Sequence, residues 1–463
     1  MSAPIHHQST TTKLDAFTDL DTRLGGRAFR PGHPEFESAV RLWNGMIEDR
    51  PAVVVRPTTT ADVSTAIRYG RENDLEISIK GGGHNVAGFA TNRGGMMIDL
   101  EHMRQVQVDA SARSARVGAG ARWSDVDAAT GAFDLATTGG VISTTGVAGV
   151  TLGGGVGWLV GKHGLTIDNL RAVDLVTADG QALTASADSH PDLFWALRGG
   201  GGNFGVATSF EYEVHPLRTV FAGMVAHPPS RAREVLEFHR EITAQAPDEL
   251  TVYCGLMAEP EHGSRVAALA FCWSGDPADA EAVVGPILTF GPPIMTMADT
   301  MPYAAWNGGN DPLFPYGRRY YWKGALMRDL DNRVLDAVAA FAADPPLPWL
   351  NATIEHYGGA MNRKPTGATA FPHRDARYQL VIVGAWDEPH QDATGIRWAR
   401  DLHAAVEPFG TAGDFLNFTA GDGADAERVA RAGYGPNWEA LTRVKREYDP
   451  DNIFHRNHNV TPA

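Results

Sequence analysis

Cysteine is almost missing from this chain. Cys254 and Cys272 are the only 2 in 463 residues, which excludes a disulfide-built scaffold and fits a reducing, cytoplasmic setting, with one bridge between them still allowed. Positive charge is short as well: 40 Lys and Arg stand against 55 Asp and Glu, a formal net charge of -15. With no lysine or arginine run to form a basic patch, neither nucleic acid nor an anionic membrane is expected as a partner. The amino-terminal MSAPIHHQSTTTKLDAF has no apolar run of the kind that leads a protein to export and reads as a loose tail. The uncharged stretch Leu135–Gly161 could cross a bilayer by length, but its glycines and threonines mark a folded loop. P-loop, HExxH and nucleophile-elbow patterns are missing too. His455 and His458 lack cysteine or acidic partners, so they read as loop histidines and no metal site is expected.

What the chain has is glycine, 51 residues of it, in a body with ordinary proportions of hydrophobic (43%) and charged (21%) residues. That composition and length suit two or three globular domains. The glycines cluster in the first half, and the densest cluster follows a short apolar run in ISIKGGGHNVAG, Ile77 to Gly88. Residues without a Cβ let a large ligand lie directly against backbone N–H groups, an arrangement that suits a pyrophosphate. His84 sits in that loop with a ring nitrogen that can act as ligand, base or nucleophile.

The order of elements around the loop is a strand at Pro51–Pro57, a helix capped by Thr60 with Val63, Ala66 and Ile67 at helical spacing, and a second strand. A dinucleotide fingerprint would need a third glycine where Val86 stands. The one G-x-G-x-x-G, Gly200–Gly205, follows a helical segment and precedes a strand, the reverse of that fingerprint, so a nicotinamide site is rejected. Short strands with a hairpin at Asp179-Gly180 fill the remainder to Val214, interrupted by helices starting at Trp123 and Pro191. Beyond His215-Pro216, strands near 250–257, 266–273, 316–327, 350–361 and 376–386 alternate with helices near 231–244, 278–288, 332–342 and 394–406. One sheet with helices on one face, leaving the other face free to cover a ligand, is expected there.

Five segments in order, KGGGHNVAG (80–88), TTGVAGVTLGGGVGW (144–158), KHGLTIDNL (162–170), RGGGGNFGVAT (198–208) and YDPDNIFHRNHNV (448–460), resemble the successive signatures of the berberine-bridge-enzyme-like flavoproteins, of the vanillyl-alcohol-oxidase or PCMH type. LEISIKGGGHN and KREYDPDN are similar to the bacterial 6-hydroxynicotine oxidase branch. The resemblance implies an α+β fold: a PCMH-type FAD-binding domain of two α/β subdomains, built from 1–215 and 411–463, with a substrate domain, 216–410, inserted. It implies FAD joined to the ring of His84. It also implies flavin contacts from Lys80, Gly81, Gly82, Gly83, Asn85 and Gly88 in the first loop. Further contacts are implied from Gly139, Gly140, Thr144, Thr145, Gly146, Gly149, Gly154, Gly155, Gly157 and Trp158, and from Asp168, Asn169, Gly205, Val206, Asn457 and Asn459.

Three departures from the family pattern bear on chemistry. Ile142 stands where many relatives attach the flavin a second time through cysteine, so a single bond through His84 is expected. Thr145 stands where oxidases of the family place a small aliphatic residue; its hydroxyl either serves reduced flavin and oxygen or bonds its own backbone. Phe415 replaces the tyrosine of Tyr-x-Asn, which removes the usual base. In a strand, Thr353, Glu355 and Tyr357 share a face that either looks onto the flavin, making Glu355 or Tyr357 the substitute base, or meets water. The expected activity is an FAD-dependent oxidase that moves hydride from a small alcohol, amine or secondary metabolite to flavin and then reduces O2 to H2O2, working as a monomer or homodimer. A monooxygenase tailoring an aromatic or polyketide metabolite, with Trp306, Tyr316, Tyr320, Tyr321 and Trp322 lining its pocket, is the alternative. A flavin-binding protein without catalysis is the remote one.

Overall fold

The computed structural model describes residues 16–259, 263–411, 413–421 and 426–463. The expected amino-terminal tail lies, through residue 15, outside them. The first glycine loop is held by a four-stranded sheet in the order Ala28–Phe29, Val53–Val55, Met96–Asp99, Ile77–Lys80, parallel except at the first, edge strand. Helix Thr60–Glu72 packs on it through Val63, Ala66 and Ile67. Its cap is Thr59, one residue before the expected one. Thr59 is extended, its side chain accepts from the backbone N–H of Asp62 at 3.1 Å, and the Asp62 carboxylate accepts from the N–H of Thr59 at 3.1 Å.

A second, five-stranded antiparallel sheet runs Val106–Asp109, Ser114–Gly118, Val206–Glu213, Leu170–Val176, Ala182–Ser186. The hairpin at Asp179-Gly180 joins its last two strands, with Gly180 at φ +81° where a side chain would be strained. The third sheet has seven antiparallel strands in the order 295–302, 219–227, 265–273, 250–258, 351–356, 378–386, 319–327. Helices Ala232–Ala244, Asn332–Ala343 and Asp392–Val406 bury one of its faces in a separate core. Mixed helices and sheets in this arrangement are the α+β fold expected.

Three expectations about this sheet need correction. Thr219–His227 and Met295–Pro302 are strands that the sequence pattern did not reveal; the second is an edge strand whose MTMADTMP is mostly exposed and lacks a buried alternating face. The strand expected over 350–361 ends at His356, because Gly359 turns the chain at φ +55° and packs where a Cβ would lie 2.2 Å from the Gly161 carbonyl. No bridge joins the cysteines. Cys254 pairs with Leu269 and Cys272 with Thr251 across the same two strands, an odd offset that puts the thiols on opposite faces, and both are free and buried.

One hydrophobic core gathers Leu20 to Val214 together with Leu416, Val429, Tyr434, Leu441, Phe454 and Val460. The last helix, Trp438–Tyr448, is fastened by Lys445, fully buried, whose ammonium donates to the Asn203 carbonyl at 2.8 Å, the Phe454 carbonyl at 2.9 Å and the Asp449 carboxylate at 2.7 Å. Asp449 in turn accepts from the backbone N–H groups of Ile453 and Phe454, each at 2.8 Å. Among the described residues no helix is long and apolar enough to cross a membrane. Removing the ammonium strands a buried carboxylate, so Lys445→Met is expected to lower unfolding free energy by about 3–5 kcal/mol, read by urea denaturation.

Candidate active site

Two glycine loops meet back to back. A Cβ on Gly82 would lie 2.3 Å from the Gly146 nitrogen, and one on Gly146 would lie 2.2 Å from the Gly82 nitrogen, so neither position admits any other residue without the loops parting. The first loop leaves strand Ile77–Lys80 and the second enters helix Val147–Leu152. Between and beyond them runs a long cleft. Of the expected residues, Gly81, Gly82, Gly83, His84, Asn85, Gly140, Thr145, Gly146, Gly149, Gly205, Val206 and Asn457 line it. At Gly149 and Gly202 an added Cβ would meet nothing within 4 Å, so bare backbone faces open space there.

His84 is stacked on Trp43, ring centroids 5.1 Å apart, with Tyr316 edge-on at 5.1 Å. Its Nε2 is buried with no hydrogen-bond partner. Burial, helped by the charge of Arg122, pushes its pKa down to about 3. The ring is therefore neutral, with a nucleophilic nitrogen free, as bond formation to an electrophilic carbon requires. Asn457 Oδ1, in the cleft wall, is also buried and unpartnered. Unpaired polar atoms of this kind, bare glycine backbone and a neutral imidazole along one cleft fit a large cofactor with hydrogen-bonding edges.

The other expected residues do not line the cleft. Lys80 donates to the Ala39 carbonyl at 2.8 Å and pairs with Asp99, and Gly88 packs on Ile47. Gly139 makes room for Trp123, Gly157 for the Gly139 carbonyl and Gly155 for Thr166, while Gly154, at φ +120°, lies against Phe371 and Phe415. Trp158 stacks on Tyr253 with centroids 4.4 Å apart. Asp168 is held by Arg374 at 2.7 Å, and Asn169 bonds the carbonyls of His163 and Leu165. Thr144 and Asn459 are not part of the lining, and Asn459 Oδ1 is buried and unpartnered. Conversely, Trp43, Phe89, Trp322, Phe418, Tyr434, Arg456 and His458 line it. Trp43 and Tyr434 stand far from the glycine motifs in sequence, and His458 is no idle loop residue.

Thr145 Oγ1 donates to the Ile142 carbonyl at 2.7 Å, so its proton is engaged by its own backbone. Phe415 is fully buried in an apolar cluster with Val156, Tyr357 and Phe371. Glu355 and Tyr357 do share a side: the Tyr357 hydroxyl donates to the Glu355 carboxylate at 2.7 Å. That side does not meet water, Glu355 being 6% and Tyr357 0% exposed. Trp322 lies opposite Val383 and Val383 opposite Asn351, so alternation along the strand puts Glu355 on the same sheet face as the cleft-lining Trp322. Neither Glu355 nor Tyr357 lines the cleft itself. Burial, opposed by the Tyr357 hydrogen bond, pushes the Glu355 pKa up to about 7.

The fold and the glycine-walled cleft suit a protein that holds a large, flat cofactor. Residues 51–186 match the model of the FAD binding domain family, and 414–461 match that of the berberine and berberine-like family. An FAD-linked oxidoreductase of Dictyostelium discoideum is 30% identical over 449 residues, 95% of either chain. The (R)-6-hydroxynicotine oxidase of Paenarthrobacter nicotinovorans is 30% identical, over 95% of this chain and 97% of that one. The crystal structure of 6-hydroxy-D-nicotine oxidase from Arthrobacter nicotinovorans superposes with a TM-score of 0.85 at 29% identity, covering 94% of this chain and 98% of that one. BBE-like 1 of Physcomitrella patens shares the fold, with a TM-score of 0.87 at 24% identity over 96% and 98% of the two chains. The chain belongs to the berberine-bridge-enzyme-like FAD-linked oxidoreductases.

Because the two loops touch through bare backbone, Gly146→Ala is expected to cost about 1–3 kcal/mol of stability and to lower bound FAD, measured by thermal unfolding and by the flavin-to-protein absorbance ratio.

Proposed function

We propose that this chain is an oxidase that holds FAD through one covalent bond to His84 and takes hydride from a small alcohol, amine or secondary metabolite, with O2 as the final acceptor and H2O2 as product. The observation that carries the reading is Glu355: a carboxylate on the cleft-facing side of the sheet, buried, held by Tyr357, and poised near neutrality where Phe415 can take no proton. FAD, when bound, supplies the hydride acceptor and the site of reoxidation by O2. The chain's own part is placement and proton handling. Gly82, Gly146 and Gly149 bring backbone against the cofactor, His84 anchors it, and Ile142 offers no second attachment. Trp322 and Phe418 give the substrate side of the cleft an apolar wall. Glu355, on the cleft-facing side of the sheet but outside the cleft lining, is assigned as the acceptor that the O–H or N–H proton of the substrate reaches as the C–H bond breaks, and Tyr357, donating to it, fixes its orientation.

Oxidase rather than oxygenase outcome is supported by Thr145, whose hydroxyl is already spent on the Ile142 carbonyl. Relatives named as oxidases of 6-hydroxynicotine support the same reading. The shared core of the two chain ends supports an FAD-binding domain of 1–215 with 411–463 around a substrate domain of 216–410. The unpaired cysteines support a cytoplasmic setting, and a monomer or homodimer is proposed.

Acid precipitation is expected to leave a yellow pellet from the wild type and a colourless one from His84→Ala. Flavin reduction by substrate is expected to speed up as pH rises through about 7, because Glu355 acts as a base only when ionised. Glu355→Gln is expected to slow reduction by about 10²- to 10⁴-fold and flatten that profile, measured by anaerobic stopped-flow. Stoichiometric peroxide, with no label entering product from labelled O2, checks the oxidase outcome.

A further inference from the structure

A base buried to 6% exposure must also lose the proton it gains. Tyr357, which donates to Glu355, sits in an apolar cluster and leads nowhere. On the other side Tyr253 lies directly opposite Glu355 on the adjoining strand. Its ring stacks on Trp158 at 4.4 Å, and Trp158 lies 5.2 Å from Trp306 of the short helix Tyr303–Asn307. Tyr253, Tyr303, Trp158, Trp306 and Cys272 form one cluster between the sheet and the cofactor-binding half. The helix ends on Asn307, which donates to Asp127 at 2.7 Å and to the Gly140 carbonyl of the cleft at 3.1 Å. One turn on, half-buried Asp311 accepts from the Ser143 N–H at 2.7 Å and from its hydroxyl at 2.6 Å.

This cluster is polar where a core should not be. The hydroxyls of Tyr253 and Tyr303, the indole nitrogens of Trp158 and Trp306, and Asn307 Oδ1 are all buried without a hydrogen-bond partner. Native interiors rarely leave so many unpaired polar atoms together unless something mobile serves them. The charged and titratable neighbours also form a line. Glu355 is paired with Tyr253 across the strands and accepts from Tyr357, Tyr253 shares one cluster with Tyr303 and Cys272, Asp127 meets the end of the Tyr303 helix at Asn307, and Asp311 lies within electrostatic reach of Asp127. Burial pushes the Asp127 pKa up to about 7, as it does that of Glu355, so each of these carboxyls can take up and release a proton near neutrality. Burial raises Tyr253 and Tyr303 well above the ordinary phenol range, so each hydroxyl can pass a proton only by taking one up as it gives its own away; the Cys272 thiol, raised likewise and a weak donor and acceptor, is assigned no part.

We propose that Tyr253, Tyr303 and Asp127 form a proton exit that carries the proton from Glu355 to half-buried Asp311 beside Ser143. The proton on Glu355 passes to the Tyr253 hydroxyl oxygen as that hydroxyl releases its own, and the same exchange at Tyr303 delivers a proton to the Asp127 carboxylate. The Tyr253 and Tyr303 hydroxyls have no direct partner, so the proposed exit needs a bridging water between successive groups, and Asp311 hands the proton to solvent. No electrons move, and each hydroxyl ends as it began. The inference rests on Glu355 being the base, but its test does not require substrate.

The holoenzyme at pH 6 is moved into D2O and the Glu355 carboxylic acid band, identified by its loss in Glu355→Gln, is followed by infrared difference spectroscopy. Wild type is expected to exchange fast, and Tyr253→Phe and Asp127→Asn at least about tenfold more slowly, while Trp158→Phe, which removes no proton carrier, stays near wild type. Tyr303→Phe replaces either variant that does not fold. Equal exchange rates in wild type and the folded variants overturn the exit. Failure of the base assignment is separate: it shows as undiminished flavin reduction in Glu355→Gln whatever the exchange rates.

Discussion

The contact on which the site depends is one of backbone against backbone, at Gly82 and Gly146. Two loops from different subdomains approach until only hydrogen fits between them. That closeness sets the separation of the parallel sheet holding the first loop from the helix holding the second. Everything else along the cleft is placed relative to it: His84 two residues past one glycine, Thr145 one residue before the other. The neutral state of the His84 ring follows from the same packing, since the wall that brings Trp43 over the ring also withdraws it from water.

Much of this was legible in the sequence because glycine clusters, capping residues and alternating apolar strands are local signals. The helix after Thr59, the hairpin at Asp179-Gly180 and most of the seven-stranded sheet are where their patterns put them. Glycine identity alone did not tell a wall from a packing joint. Gly149 faces open space while Gly139 and Gly157 make way for a tryptophan and a carbonyl, and nothing in TTGG or GGGVGW separates the two uses. Trp43 and Tyr434 were illegible for the opposite reason: they reach the cleft only through tertiary packing and carry no spacing signature. The edge strand Met295–Pro302 was missed because an exposed edge needs no alternation.

The departures at Ile142, Thr145 and Phe415 divide the same way. Loss of a thiol and loss of a phenol are chemical facts that the sequence states outright. What Thr145 does with its hydroxyl is decided by a carbonyl three residues earlier, a geometric matter. Burial of the Glu355 face, for which the sequence allowed water just as readily, was decided by the packing of the sheet against the first half of the chain.

The union of Leu20–Val214 with Leu416–Val460 in a single core has a kinetic side. A growing chain displays the apolar surface of its first half throughout translation of the inserted sheet, and the surface closes only when the final helix emerges and Lys445 finds Asn203 and Phe454. The first half of the chain therefore has no closed apolar core of its own, and the segment that carries Lys445 is as much a part of that core as any strand before it.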